Sequence, residues 1–186
     1  MKSVLISIKP KWVEKITSGE KTIEVRKTAP KCEVPFKAYI YCTKEKKQDD
    51  IIWAGVCGDR GKWNGRVIGE FVCDKVYSIK NQGGRFVVAN EEQSVTNEIA
   101  RQSCLDYDDM VSYFGNKDGF GWHISDLKIY DKPKELSEFS RPCSYSGLCF
   151  SCKRTSFKKD GNLLCNTKIT RPPQSWMHVE DLGEEK

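Results

Sequence analysis

The first half of the chain alternates short apolar runs with polar interruptions, in a pattern typical of strands interrupted by one helix. An apolar run predicts a strand over Ser3–Ile8, and Pro10 then begins a helix that ends at Gly19. Two further apolar runs predict a strand over residues 36–43 and one long strand over residues 66–79.

The second half adds two helices and further strands. A helix is predicted over residues 94–105, and Asp106 caps a second helix whose apolar residues recur at helical spacing. One strand is predicted over residues 120–130, and residues 172–179 end in a short strand. These elements predict an α+β fold, a curled, mixed but mostly antiparallel sheet or small β-barrel with peripheral helices.

A short strand over residues 21–26 carries the first candidate chemistry. Its alternation places Ile23 and Val25 on one face and Thr22, Glu24 and Arg26 on the other. A lysine and an arginine offer donors to phosphate or carbonyl groups, and a carboxylate accepts from an exocyclic amine. The alternative is that Glu24 forms a satisfied ion pair within the sheet. Glu70 also lies within an apolar strand and needs a partner there.

Four of the nine cysteines lie close together near the carboxyl end. Their spacing is Cys-x5-Cys-x2-Cys-x12-Cys, in a segment with few apolar residues. Four thiolates at such spacing form a tetrahedral structural zinc site, and the metal supplies folding energy. The alternative is four unrelated reduced thiols. The predicted zinc ligands are Cys143, Cys149, Cys152 and Cys165.

Charge and hydropathy limit the classes of function. Basic residues exceed acidic ones by 5 in 186 residues, a mildly positive balance that permits nucleic-acid binding without requiring it. No run approaches the roughly 20 apolar residues that a membrane helix needs. The odd number of cysteines and the absence of a signal-like segment oppose a disulfide framework. We therefore expect a cytoplasmic protein that has no membrane partner.

Two segments resemble the ASCH family. One is Gly-Glu-Lys-Thr-Ile-Glu-Val-Arg at residues 19–26, directly after the first helix, and the other is Val-Ile-Gly-Glu-Phe at residues 67–71. The resemblance implies a PUA-like β-barrel over residues 1–140, to which residues 169–183 return. The cysteine spacing places the zinc-binding insert between them, at residues 141–168. It also implies a cleft beside the first helix. The implied ligand-binding residues are Lys21, Thr22, Glu24, Arg26 and Glu70.

The family resemblance implies that this cleft binds RNA or a modified nucleotide. Some ASCH proteins instead remove an acyl group from N4-acetylcytidine, which leaves a small amidohydrolase as the alternative, with Lys21 and Glu24 as its catalytic residues. Lys21 matches the lysine of that pattern, but Glu24 stands where threonine is expected. A regulatory interaction module is a third possibility. Exposed aromatic residues are candidate stacking platforms for bases, namely Trp53, Trp63 and Trp176.

Overall fold

The computed structural model describes residues 2–44, 63–143, 155–157, 163–165 and 167–183. Within these residues the chain forms three α-helices and eleven β-strands. The helices are α1 (Pro10–Thr17), α2 (Gln93–Ser103) and α3 (Tyr107–Phe114). The strands are β1 (Ser3–Ile8), β2 (Ile23–Arg26), β3 (Phe36–Cys42), β4 (Val67–Cys73), β5 (Val76–Gln82), β6 (Arg85–Val88), β7 (Gly119–His123), β8 (Ser125–Lys134), β9 (Thr155–Phe157), β10 (Leu163–Cys165) and β11 (Trp176–Val179).

A five-stranded sheet forms the first half of the fold, in the order β11-β1-β3-β4-β8. Its strands pair antiparallel except β1 and β3, which are parallel in the register Val4 to Ala38. All six residues of β1 are buried, because α1 covers one face of the sheet and a second apolar cluster covers the other. The alternating residues Val4, Ile6 and Ile8 pack beneath α1.

A four-stranded antiparallel sheet forms the second half, in the order β2-β7-β5-β6. Helices α2 and α3 contribute Ile99, Met110 and Phe114 to an apolar cluster on this sheet. The Asp106 carboxylate accepts a hydrogen bond of 2.7 Å from the backbone amide of Asp109, which confirms the predicted cap. In the described residues, no helix is both long and apolar enough to cross a membrane.

The predicted barrel is wrong, because the described strands form two open sheets and a separate antiparallel pair of β9 with β10. The strand expected over residues 66–79 ends at Cys73, and the chain passes from the five-stranded sheet as β4 to the four-stranded sheet as β5. The strand expected over residues 120–130 divides in the same way at Ile124. Backbone hydrogen bonds from His123 to Lys75 (2.9 Å) and from Ile124 to Thr22 (2.8 Å) fix this corner. Only Asp74 and Lys75 at one corner, and Ser125 and Asp126 at the other, separate the apolar runs, and this short interruption concealed the change of sheet.

The zinc-binding insert that the predicted fold class included finds no support in the described residues. Cys149 and Cys152 lie outside them, Cys143 is an exposed free thiol, and Cys165 is in β10. Among the described residues no group of three or more potential metal ligands lies together. The four-cysteine zinc site therefore stays a prediction from spacing.

Candidate functional site

The turn between α1 and β2 positions the first charged residue of the site. Gly19 ends α1 with a φ of 79°, a left-handed conformation that glycine adopts without strain. The Gly19 amide donates to the Ile16 carbonyl (3.1 Å), and the Lys21 amide donates to the Lys15 carbonyl (2.8 Å). This turn packs Lys21 against the body of the protein before β2 begins.

The alternation of β2 separates its apolar and charged side chains. Ile23 and Val25 enter the cluster between the four-stranded sheet and its two helices. Glu24 and Arg26 point to the opposite face, where they meet Lys21. β2 is the edge strand of its sheet, and Glu24 and Arg26 line a cleft beside it.

Lys21, Glu24 and Arg26 form a buried charged row, which we call the cleft floor. The Lys21 Nζ atom is 3.5 Å from Glu24 Oε2, and the Arg26 Nη2 atom is 2.9 Å from Glu24 Oε1. Their side chains are only 2%, 6% and 9% exposed, respectively. Two cations therefore flank one carboxylate where little water screens them.

Backbone carbonyls hold the two cations of the floor in place. Lys21 Nζ donates to the Ser103 carbonyl (2.6 Å) at the end of α2, and Arg26 Nη2 donates to the Ser7 carbonyl (2.5 Å) in β1. Burial lowers the pKa of Lys21, although the neighbouring negative charge of Glu24 opposes that shift. The floor thus connects α2, β2 and β1.

Two polar atoms of the floor lack a hydrogen-bond partner within the described part of the chain. They are Glu24 Oε2 and Arg26 Nε, and both are buried. A buried polar group without a partner costs about 1–3 kcal/mol, and more when it is charged. Oε2 keeps Lys21 Nζ as an ion-pair partner at 3.5 Å, so the floor is paired in charge but incomplete in hydrogen bonding.

The cleft above the floor has a volume of about 1380 Å³ and a positive lining. It exceeds the roughly 300–1,000 Å³ of sites for drug-sized ligands. Three acidic residues line it against six basic ones, which are Lys9, Lys11, Lys21, Arg26, Lys27 and Lys44. Such a lining attracts anions.

Two aromatic residues of the cleft lie beside the floor. Trp12 of α1 has Lys11 Nζ at 4.2 Å and Lys21 Nζ at 5.2 Å from its ring centroid. Tyr113 of α3 has Lys27 Nζ at 5.2 Å from its ring centroid. Burial raises the pKa of the Tyr113 hydroxyl, and the charge of nearby Arg26 opposes this shift. One ring is therefore next to each cation of the floor.

Residues 169–175 contribute another wall of the cleft. The Ser7 hydroxyl donates to the Pro173 carbonyl (2.6 Å), and the Ser7 amide donates to the Ser175 carbonyl (2.9 Å). Because the Ser7 carbonyl also accepts from Arg26, one residue of β1 links this wall to the floor.

The two other predicted ligand-binding residues lie away from the cleft. Thr22 uses its backbone to bind the Gln102 carbonyl (3.0 Å) and the Ile124 amide (2.8 Å), and it does not line the cleft. Glu70 lies in the five-stranded sheet, where one oxygen accepts from the Tyr130 hydroxyl (2.5 Å) and the other is 3.7 Å from Lys37 Nζ.

Two of the three aromatic residues singled out from the sequence, Trp63 and Trp176, also lie outside the cleft lining. Trp63 packs against the core, and the Trp176 indole donates to the Thr28 hydroxyl (3.0 Å), while Trp53 lies outside the described residues. The sequence analysis did not predict Trp12 and Tyr113 as cleft residues. Trp12 fits the apolar face of α1 and therefore read as a core residue. The lysine at position 11, directly before Trp12, was the available signal.

Comparison with solved structures identifies the fold. The crystal structure of ASCH from Zymomonas mobilis has a TM-score of 0.51 and 18% sequence identity, with 96% of this chain and 88% of that chain covered. A serine-to-alanine mutant of ZmASCH from the same organism has a TM-score of 0.56 and 17% identity, covering 96% and 89%. No family model and no curated protein matches the sequence. The chain shares the fold of these ASCH structures, which confirms that resemblance at the level of the fold.

Proposed function

We propose that the protein binds RNA or a modified nucleotide in this cleft. One observation carries the proposal: the Oε2 atom of Glu24 makes no hydrogen bond among the described residues. An anion such as sulfate has no hydrogen to donate to this carboxylate, whereas a nucleobase offers it an N–H donor. The same base presents ring nitrogen or carbonyl acceptors to Lys21 and Arg26.

Exposed lysines at the mouth of the cleft suit the phosphates of such a ligand. We call Lys9, Lys11, Lys27 and Lys44 the rim lysines; all four are exposed and line the cleft. Among the described residues, no carboxylate lies within ion-pair distance of any of them. Their charges are therefore available to phosphate groups while the base occupies the floor.

The salt dependence of RNA binding tests this arrangement. In a plot of log K against log salt concentration, each phosphate neutralised on a single strand contributes about −0.7 to the slope. A strand that contacts all four rim lysines therefore gives a slope of about −3. Lys11→Ala and Lys27→Ala each reduce the steepness by about 0.7. Lys132→Ala is the matched control, because Lys132 is exposed on β8 outside the cleft. Fluorescence anisotropy with labelled RNA at several salt concentrations measures these slopes.

Two results would contradict RNA binding by the cleft. The first is an affinity that does not change with salt concentration. The second is an equal loss of affinity in the Lys11→Ala, Lys27→Ala and Lys132→Ala variants, which would indicate attraction to the whole surface.

A second candidate function is hydrolysis of an N4-acylated cytidine, and the lowered pKa of Lys21 favours it. Lowering the pKa of a nearly buried lysine makes its proton easier to remove, which suits a nucleophile or base. Incubation with N4-acetylcytidine tests this function by chromatography of the products. Turnover that disappears in Lys21→Ala, with RNA affinity measured in parallel, would establish the hydrolase. Absence of turnover in the unmodified protein removes it and leaves the binding function unaffected.

A further inference from the structure

The cleft floor presents its hydrogen-bonding groups in a fixed order. Lys21 is next to Oε2 of Glu24, and Arg26 is next to Oε1 of the same carboxylate. A ligand that lies along the row therefore meets a donor, an acceptor and a second donor. The Oε2 and Nε atoms that lack hydrogen-bond partners in the described residues belong to the central acceptor and to one flanking donor.

The complementary ligand edge is an N–H donor between two acceptors. Uracil has this edge, because its N3–H lies between the O2 and O4 carbonyls. We propose that the floor recognises the imide edge of uracil in single-stranded RNA, an inference that rests on the proposed RNA-binding function. Glu24 accepts from N3–H, and Lys21 and Arg26 donate to the two carbonyl oxygens.

The other bases place a mismatched group against the row. Cytosine and adenine present a ring nitrogen acceptor at the central position, which faces the Glu24 carboxylate without a proton between them. Guanine has a central N1–H, but its amino group then faces Lys21 or Arg26, donor against donor. Each arrangement sets two donors or two acceptors against each other in a nearly buried site, and that is costly.

The surrounding residues fit a single unpaired base. A base on the floor has Trp12 near Lys21 and Tyr113 near Arg26, so its ring lies close to an aromatic side chain at either end of the row. Because the imide edge is the edge used in base pairing, a base in a duplex cannot present it. The rim lysines then hold the neighbouring phosphates.

Modified RNA ligands test the inference without altering the protein. The probes are labelled pentanucleotides of uridine, cytidine, adenosine, 3-methyluridine and 5-methyluridine, compared by anisotropy at one salt concentration. We expect uridine to bind at least about tenfold more tightly than cytidine, adenosine or 3-methyluridine, which lacks the N3–H donor. The 5-methyluridine probe is the matched control, because its methyl group leaves the imide edge intact, and it binds like uridine.

A protein variant tests the role of Glu24 in the same preference. Glu24→Gln replaces the pure acceptor with an amide that also donates to the ring nitrogen of cytidine. The preference for uridine over cytidine falls below about threefold, while the salt dependence due to the rim lysines persists. Thermal unfolding of the variant accompanies the measurement; if it does not fold, the 3-methyluridine comparison still decides.

The outcomes separate this inference from the proposed function. Equal affinity for all five probes, or tighter binding of cytidine or adenosine, overturns uracil recognition and leaves RNA binding intact. If 3-methyluridine binds as tightly as uridine, the contact to Glu24 is wrong. If no probe binds, the proposed function itself fails.

Discussion

Glu24 and Glu70 are carboxylates in the two segments that resemble the ASCH family, yet their surroundings differ. Glu70 has a hydroxyl on one oxygen and an ammonium group near the other, and its side chain is 21% exposed. Glu24 is 6% exposed, and its Oε2 has no hydrogen-bond partner among the described residues. Each carboxylate has one oxygen near a lysine ammonium group, at 3.7 Å for Glu70 and 3.5 Å for Glu24, but Glu70 also accepts from a hydroxyl and is more open to water. Glu24 instead lies nearly buried between two cations in the cleft lining. A carboxylate in an apolar strand therefore indicates a site when it is enclosed with charged partners beside a cleft.

Removing the Glu24 carboxylate gives the largest expected effect. Glu24→Ala leaves Lys21 and Arg26 as buried cations without a counter-charge, which costs about 3 kcal/mol of folding free energy. Urea denaturation followed by tryptophan fluorescence measures the loss. RNA affinity falls as well, because the central acceptor of the floor is gone. A stability change below about 1 kcal/mol would mean that water already reaches the row.

The glycine that precedes Glu70 gives the next effect. A Cβ atom at Gly69 would lie 2.3 Å from the Lys128 carbonyl oxygen of β8, so Gly69→Ala forces β4 and β8 apart at a cost of about 2 kcal/mol. Gly19→Ala is the comparison in the other segment. Its Cβ meets nothing within 4 Å, and the positive φ alone costs about 1 kcal/mol. Equal losses by urea denaturation would contradict the tight β4–β8 contact.

Neutralising Glu70 has a smaller effect, confined to stability. Glu70→Gln weakens the ion pair with Lys37 and the hydrogen bond from Tyr130, at a cost of about 1 kcal/mol. RNA affinity stays unchanged, because Glu70 does not line the cleft. A fall in affinity that matches the Glu24→Ala variant would show that the two carboxylates act on one ligand.

The smallest expected effect is a difference in pKa between Lys21 and Lys37, the lysines that pair with the two carboxylates. Burial lowers the pKa of Lys21 from 10.5. Burial also acts on Lys37, but its hydrogen bond to Asp181 and the charges of Glu70 and Asp181 outweigh it and raise the pKa above 10.5. Carbon-13 NMR of the lysine Cε atoms should therefore give midpoints on opposite sides of 10.5. Midpoints on the same side would contradict the contrast.

These shifts have opposite consequences for stability. Between its lowered pKa and 10.5, Lys21 binds more protons in the unfolded chain than in the folded one, so its contribution to stability rises with pH. The contribution of Lys37 is complete below 10.5 and is lost as pH rises through its raised pKa.

Helices and strands were predictable where a regular pattern of apolar residues began or ended at a capping residue or a proline. Pro10 and Asp106 marked helix starts that the structure confirms, and the strands Ser3–Ile8 and Trp176–Val179 lie where apolar runs predicted them. The division of the fold into two sheets was not predicted, because only two polar residues follow Cys73 and Ile124 before the apolar pattern resumes, while the hydrogen-bonding partners change. Pairing partners are a long-range property that periodicity does not contain.

The candidate site was partly accessible to the same reasoning. Alternation placed Glu24 and Arg26 on the face that borders the cleft, and the family resemblance added Lys21. Trp12 and Tyr113 could not be found in this way, since they come from two helices that meet the floor only after folding. Thr22 shares the parity of Glu24, but it precedes β2 and its backbone joins the sheet corner instead.

The pairing of β1 with β11 also determines when the cleft can exist. Ser3 of the first strand pairs with Val179, so the five-stranded sheet joins residues that are far apart in the sequence. Contacts of such long separation form late in folding, after the large loss of chain entropy. On the ribosome, the floor residues are made early but wait for residues 169–175 to supply the last wall. Ligand binding is therefore expected only after residues 169–179 have been made and have joined the sheet.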